Sequence, residues 1–112
     1  MADELVESEY TFYAVADVSE VPNGKRIFLT IGEENIVVFN IAGKLFAMGD
    51  VCTHDGGPLG EGELDGYEVI CPRHGARFDV RSGKALTLPA FIDAPYYPVR
   101  INGSDIEVGI RE

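Results

Sequence analysis

Runs of aromatic, aliphatic and β-branched residues, separated by glycine, proline or asparagine, make up most of the first half of the chain. Such runs are typical of β-strands, and the turns between them are short enough to join antiparallel neighbours. The pattern predicts strands at residues 10–18, 26–31, 36–41 and 45–48. We expect these strands to form an antiparallel meander.

The pattern changes between residues 49 and 62, where five glycines and one proline leave no strand or helix period. A second irregular loop is predicted at residues 71–76, and the Asp65-Gly66 pair predicts a tight hairpin turn between the two loops. No segment has a helical period of useful length, so the sequence predicts an all-β protein. The remaining predicted strands lie at residues 67–70, 77–80, 85–88, 97–102 and 105–110.

The length of 112 residues fits a single domain that spans residues 1–112. Hydrophobic residues make up 46% of the chain, which is enough for a folded core. Nineteen acidic residues against nine basic ones give a formal net charge of −10. This charge argues against nucleic acid and anionic membranes as partners. It suits docking to a basic patch on a partner protein, although solubility alone would also explain it.

Residues 1–7 lack the basic start and the apolar stretch of a signal peptide. The longest apolar run, residues 36–42, is too short to span a membrane and contains Asn40. The expected location is therefore the cytoplasm. There, two cysteines are more typical of metal ligands than of a disulfide.

All the cysteines and histidines of the chain lie in the two irregular loops, as Cys52-Thr53-His54 and Cys71-Pro72-Arg73-His74. Each residue alone could be a buried thiol or a hydrogen-bonded surface imidazole. A disulfide between the cysteines would leave the histidines unexplained. A structural zinc site could use two Cys and two His, but zinc fingers usually pair C-x-x-C with a spaced His pair.

One cysteine and one histidine in each loop suit a site with two unlike irons better. If one iron takes both thiolates and the other both neutral imidazoles, the cluster carries less negative charge than one with four cysteines. Its reduction potential is then higher. The added electron would reside on the iron that the histidines bind.

The sequence Cys52-Thr53-His54 with Cys71-Pro72-Arg73-His74-Gly75 resembles the Rieske motif. Nearly the whole chain after its acidic start resembles a Rieske ferredoxin, above all the soluble ferredoxin components of bacterial ring-hydroxylating oxygenase systems. The resemblance implies a Rieske fold of three stacked antiparallel sheets. It also implies a small cluster-binding subdomain at about residues 49–90, with one [2Fe–2S] cluster as cofactor.

By the same resemblance, Cys52 and Cys71 hold the inner iron and His54 and His74 hold the outer one. Leu88-Pro89-Ala90 is similar to the proline-containing loop that covers the cluster in this family.

Rieske proteins of quinol oxidation carry an extra cysteine in each loop, and Arg73 stands at the second of those positions here. They also carry a serine and a tyrosine that donate hydrogen bonds to sulfur, where this chain has Ala76 and Phe78. Neither of these side chains can donate a hydrogen bond. Because such bonds stabilise the reduced cluster, we predict a potential near the low end of the Rieske range, about −150 mV.

The resemblance therefore implies a monomeric one-electron carrier between a flavoprotein reductase and a terminal oxygenase. Catalysis by this chain is not expected, because both histidines are used and no glycine-rich nucleotide motif follows a strand. An alternative is a small Rieske subunit built into an enzyme such as an assimilatory nitrite reductase. A redox or iron sensor is a third hypothesis, ranked last because the chain has no DNA-binding element.

Overall fold

The computed structural model describes residues 9–51, 57–72, 75–88 and 92–111. Within these ranges the chain contains one 3-10 turn, Val18–Glu20, and no α-helix. The prediction of an all-β protein is confirmed. No helix in this described part has the length and apolar character needed to cross a membrane. The strands are β1 (Tyr10–Asp17), β2 (Arg26–Ile31), β3 (Glu34–Ile41), β4 (Lys44–Gly49), β5 (Leu64–Asp65), β6 (Glu68–Ile70), β7 (Arg77–Asp79), β8 (Tyr96–Tyr97), β9 (Val99–Asn102) and β10 (Asp105–Arg111).

The strands form three antiparallel sheets, as the resemblance implied. The terminal sheet has the order β1-β10-β9, the central sheet the order β2-β3-β4-β8, and the small sheet the order β5-β6-β7. The small sheet lies in the chain between β4 and β8, inside the range predicted for the cluster-binding subdomain. Both of its connections therefore lead to neighbouring strands of the central sheet.

The predicted four-stranded meander is wrong in its first strand. Strands β2, β3 and β4 do form a meander, but β1 pairs with β10, and Tyr10 lies opposite Arg111. The apolar pattern of β1 identifies a strand but carries no information about its partner. A strand can pair with a distant segment as well as with the next one along the chain.

Two other predicted strands differ in the structure. The strand predicted at residues 97–102 is divided at Pro98 into β8 and β9, which belong to different sheets. Proline has no N–H to donate within a sheet, so strands commonly end beside it. The strand predicted at residues 85–88 is reduced to one isolated bridge, between Phe78 and Ala85.

The central sheet is buried on both faces because it separates two cores. On β3, Val37 and Phe39 pack with the small sheet, while Ile36 and Val38 pack with the terminal sheet. All four are at most 1% exposed. Successive side chains of a strand point to opposite faces, so a strand between two cores needs an unbroken apolar run. The longest apolar run in the sequence is therefore the middle of the molecule.

Tyr97 of β8 closes the second core at the edge of the central sheet. Its hydroxyl donates a hydrogen bond of 2.7 Å to Oε1 of Glu34, the first residue of β3. Burial raises the pKa of the Tyr97 hydroxyl above its ordinary value, and the bond to Glu34 raises it further. The phenol is therefore neutral and serves as a donor that joins β8 to β3.

Candidate metal centre

One of the four predicted ligands, Cys71, lies within the described residues. Cys52, His54 and His74 lie outside them, as do Arg73 and the Pro89-Ala90 part of the predicted covering loop. The described residues next to these positions show how each loop is held.

The second loop begins at Cys71, directly after β6, and closes on itself within a few residues. The Cys71 N–H donates to the Ala76 carbonyl at 2.7 Å, and the Gly75 N–H donates to the Cys71 carbonyl at 3.0 Å. Gly75 has φ of 78°, which glycine adopts at little cost. These bonds fix Cys71 at the start of a tight turn that leads into β7.

Cys71 is 1% exposed and belongs to the core between the central and small sheets. Ala76 and Phe78 are fully buried in the same core. They stand where Rieske proteins of quinol oxidation carry a serine and a tyrosine. Ala76 and Phe78 therefore share the packing environment of the second cysteine. A hydroxyl added at either position would enter the core that surrounds Cys71.

The first loop is anchored where it leaves the central sheet, at Asp50. The Asp50 N–H donates to the Asn35 carbonyl at 2.8 Å. Asp50 Oδ1 accepts from the N–H of Leu59 at 2.9 Å and from the N–H of Gly60 at 2.6 Å. One carboxylate thus joins the two sides of the loop that contains Cys52 and His54.

Arg26 of β2 holds the same part of the chain from the other side. Its Nη1 donates to the Gly60 carbonyl at 2.5 Å and to the Gly62 carbonyl at 2.7 Å. The guanidinium also lies over the Phe39 ring, 5.2 Å from the centroid. Sequence analysis assigned no role to Arg26 or Asp50. The only signals were a basic residue beginning an apolar strand and an acid where the strand pattern stops.

The first loop packs directly against the strand that precedes Cys71. The Ile70 N–H donates to the Glu63 carbonyl at 2.9 Å. A Cβ built on Gly62 would lie 1.8 Å from the Ile70 carbonyl oxygen, so only glycine allows this approach. The end of the first predicted ligand loop is therefore in backbone contact with the strand that leads into the second.

Arg77 of β7 pairs with two acidic residues of the small sheet. Its Nη1 lies 2.9 Å from Asp65 Oδ2 and 3.1 Å from Glu68 Oε1. The hydrogen bonds to Asp65 and then to Glu68 raise the pKa of Arg77. Because these three residues lie on β7, β5 and β6, the pairs connect all the strands of the small sheet.

An open cleft of about 420 Å³ lies beside Cys71 and is bordered by Pro72 and Gly75. Glu61 and Glu63 also line this cleft, and both are exposed. The surface next to the predicted centre therefore carries negative charge.

The donor chemistry of these loops fits an iron–sulfur cluster. Cys71 offers a soft sulfur ligand from an apolar core, which is the type of donor that iron–sulfur clusters use. The backbone hydrogen bonds of Cys71 and the positive φ of Gly75 hold Cys71 in a fixed turn. A Rieske cluster bound here supplies reversible uptake and release of one electron.

Comparison with known proteins identifies the class. The sequence model of the Rieske [2Fe-2S] domain matches residues 11–98. The chain therefore belongs to the Rieske [2Fe–2S] domain family, whose cluster is its cofactor.

Curated relatives and solved structures narrow this further. The chain is 38% identical over 99 residues to the biphenyl dioxygenase ferredoxin subunit of Pseudomonas sp. (strain KKS102), covering 88% of this chain and 91% of that subunit. The ferredoxin of carbazole 1,9a-dioxygenase from Nocardioides aromaticivorans IC177 is similar with a TM-score of 0.82, 27% identity and coverage of 88% and 96%. A chain of the complex of reduced oxygenase and oxidized ferredoxin in carbazole 1,9a-dioxygenase is similar with a TM-score of 0.80, 26% identity and coverage of 87% and 91%. The predicted relationship to ferredoxins of ring-hydroxylating oxygenase systems is confirmed, and with it the role of electron carrier rather than catalyst.

Proposed function

We propose that this chain is a low-potential shuttle that takes single electrons from a flavoprotein reductase and delivers them to a terminal ring-hydroxylating oxygenase. Cys52, His54, Cys71 and His74 are the proposed cluster ligands. We further propose that the protein acts in the cytoplasm as a monomeric single domain, with residues of about 49–90 forming its cluster-binding part.

The observation that carries this proposal is the position of Cys71. Its residue is buried in the core between two sheets, yet it borders a surface cleft lined by Glu61 and Glu63. A centre beside such a cleft can exchange electrons with a docked protein. The similarity to a ferredoxin solved together with its oxygenase supports one of the two partners. The ferredoxin relatives favour this shuttle over the subunit of a nitrite reductase and over a sensor.

The docking role of charge is tested by rapid-mixing measurements of cluster reduction by a flavoprotein ferredoxin reductase. We expect the second-order rate constant to fall about ten-fold between low and high ionic strength, because salt screens attraction between exposed charges. Neutralising Glu61 and Glu63 with glutamine should lower the low-salt rate and reduce the salt dependence.

The matched control neutralises Glu20, in the 3-10 turn after β1, and Asp105, the first residue of β10 in the terminal sheet, which gives the same change in net charge. This control should keep the salt dependence of the unaltered protein. A rate constant insensitive to salt, or equal effects of both double variants, would count against docking at the cleft. Failure of reduced protein to pass electrons to any ring-hydroxylating oxygenase would overturn the shuttle itself.

The low potential is attributed to the missing hydroxyl groups beside Cys71. An Ala76→Ser variant is expected to raise the reduction potential by about 20–60 mV. A net hydrogen bond is worth about 0.5–1.5 kcal/mol, and a one-electron couple shifts by about 59 mV for each ten-fold change in equilibrium constant. Voltammetry of anaerobically purified protein measures this, with the unaltered protein expected near −150 mV.

Ala47→Ser provides the matched control, because Ala47 is also fully buried but belongs to the other core. Its potential should equal that of the unaltered protein. If Ala76→Ser leaves the potential unchanged, the missing hydroxyl group at this position is not the cause of the low potential. If the unaltered protein has a strongly positive potential, the low-potential assignment fails while the cluster assignment stands.

A further inference from the structure

Residues 59–62, here called the bracket segment, have their backbone polar groups held by two side chains from the central sheet. Asp50 accepts from the N–H groups of Leu59 and Gly60, and Arg26 donates to the carbonyls of Gly60 and Gly62. The segment also closes on itself, since the Gly62 N–H donates to the Leu59 carbonyl at 3.0 Å. A short irregular segment thus has a side-chain partner for each of four backbone groups.

The two side chains that hold the bracket segment are themselves fixed. Arg26 begins β2 and stacks over Phe39, which is fully buried. Asp50 follows β4, and its own N–H is bonded to the Asn35 carbonyl at the start of β3. The bracket segment is therefore tied to the central sheet at a defined position.

The bracket segment forms the end of the first predicted ligand loop and packs against the strand that leads into the second. On one side, Asp50 lies two positions before Cys52, so the bonds to Leu59 and Gly60 close the first loop at its base. On the other side, Gly62 abuts the carbonyl of Ile70, the residue before Cys71. Leu59 lies fully buried in the same core as Cys71.

We propose that Arg26 and Asp50 are positioning residues, which set the separation of the two ligand loops by holding the bracket segment, the end of the first loop, against the strand that leads into the second. This inference rests on the proposed ligand set. The position of the Asp50 oxygen, rather than its charge, is what matters, because the oxygen must accept from two adjacent N–H groups. Groups that orient metal ligands typically change metal affinity by about 10–100-fold when they are removed.

The experiment compares the holoprotein with its Arg26→Met and Asp50→Ala variants. We expect both variants to release iron to a chelator about ten-fold faster or more than the unaltered protein. The loss of visible absorption measures this release. The electron paramagnetic resonance spectrum of the dithionite-reduced protein should broaden or shift. Amide hydrogen exchange should become faster at Ile70 and Cys71, beyond the bracket segment itself.

Two further Asp50 variants separate position from charge. Asp50→Asn keeps an oxygen in place and should release iron at nearly the rate of the unaltered protein. Asp50→Glu keeps the charge but moves the carboxylate by one methylene group, so it should release iron faster. These variants also carry the test if Asp50→Ala yields no folded protein.

Arg100→Met is the matched control for Arg26, because Arg100 also stacks on a ring, 4.0 Å from the Phe12 centroid, and pairs with Glu107 at 2.6 Å. It lies on β9 in the terminal sheet and should leave iron release unchanged.

Iron-release rates within two-fold of the unaltered protein in Arg26→Met and Asp50→Ala would overturn the proposal. So would an equal increase in the rate for Arg100→Met. An Asp50→Glu protein that releases iron as slowly as the unaltered protein would also overturn it. The assay contains no reductase or oxygenase. A failure of electron transfer to a partner would therefore leave this result standing, and the reverse also holds.

Discussion

Replacing Cys71 with serine is expected to abolish the cluster, leaving purified protein with less than about one tenth of the iron of the unaltered chain. The serine oxygen is a harder donor than thiolate and a poor ligand for an iron–sulfur centre. Cys71 is 1% exposed, so no solvent-accessible group can readily take its place. Iron analysis and visible absorption of anaerobically purified protein measure the effect.

A Val80→Thr variant controls for the simple cost of placing a hydroxyl in this core. Val80 is fully buried in the same hydrophobic core as Cys71. We expect this variant to lose about 1–3 kcal/mol of stability but to keep its iron. If Cys71→Ser retained full iron content, Cys71 would be a structural core thiol, and the proposed ligand set would be wrong.

The second large effect is expected from Gly62→Ala, because the added methyl group meets backbone rather than a flexible side chain. The Cβ would lie 1.8 Å from the oxygen and 2.8 Å from the carbon of the Ile70 carbonyl. Relief requires the bracket segment and β6 to separate. We expect the free energy of unfolding to fall by about 3 kcal/mol or more, which is a large part of the 5–15 kcal/mol of a typical domain.

The loss of stability is measured as a shift in the denaturant midpoint of unfolding. Circular dichroism under anaerobic conditions monitors the transition. Gly66→Asn is the control, because a Cβ there meets nothing within 4 Å and its φ of 64° is one that asparagine tolerates. This control should stay within about 1 kcal/mol of the unaltered protein. A Gly62→Ala midpoint equal to that of Gly66→Asn would mean that the contact with Ile70 is not required.

Much of the fold could be predicted from local pattern. The strand at residues 26–31 has the predicted bounds, and the Asp65-Gly66 turn joins β5 to β6 with Gly66 at positive φ. Local pattern failed where the answer depends on distant residues. Nothing near β1 indicates that it pairs with β10, and nothing in residues 97–102 except Pro98 indicates a change of sheet.

The candidate site divides in the same way. The cofactor could be predicted because cysteine and histidine at matched spacing are rare and specific. The residues that support the loops could not be, since Arg26 precedes Gly60 by 34 positions. Its role becomes visible only when β2 and the bracket segment lie side by side. Polar contacts to backbone leave no constraint on the identity of the partner residue, so they leave no sequence motif.

The pairing of β1 with β10 also has a consequence for how the chain folds. During synthesis, β1 emerges first but lacks its partner until β10 has been made, almost at the other end of the chain. The central meander of β2, β3 and β4 needs only short-range contacts and can form well before that. In the interval the face of the central sheet around Ile36 and Val38 lies uncovered, together with an unpaired strand edge. We therefore expect closure of the terminal sheet to be a late step of folding, and the newly made chain to be most prone to aggregation before it.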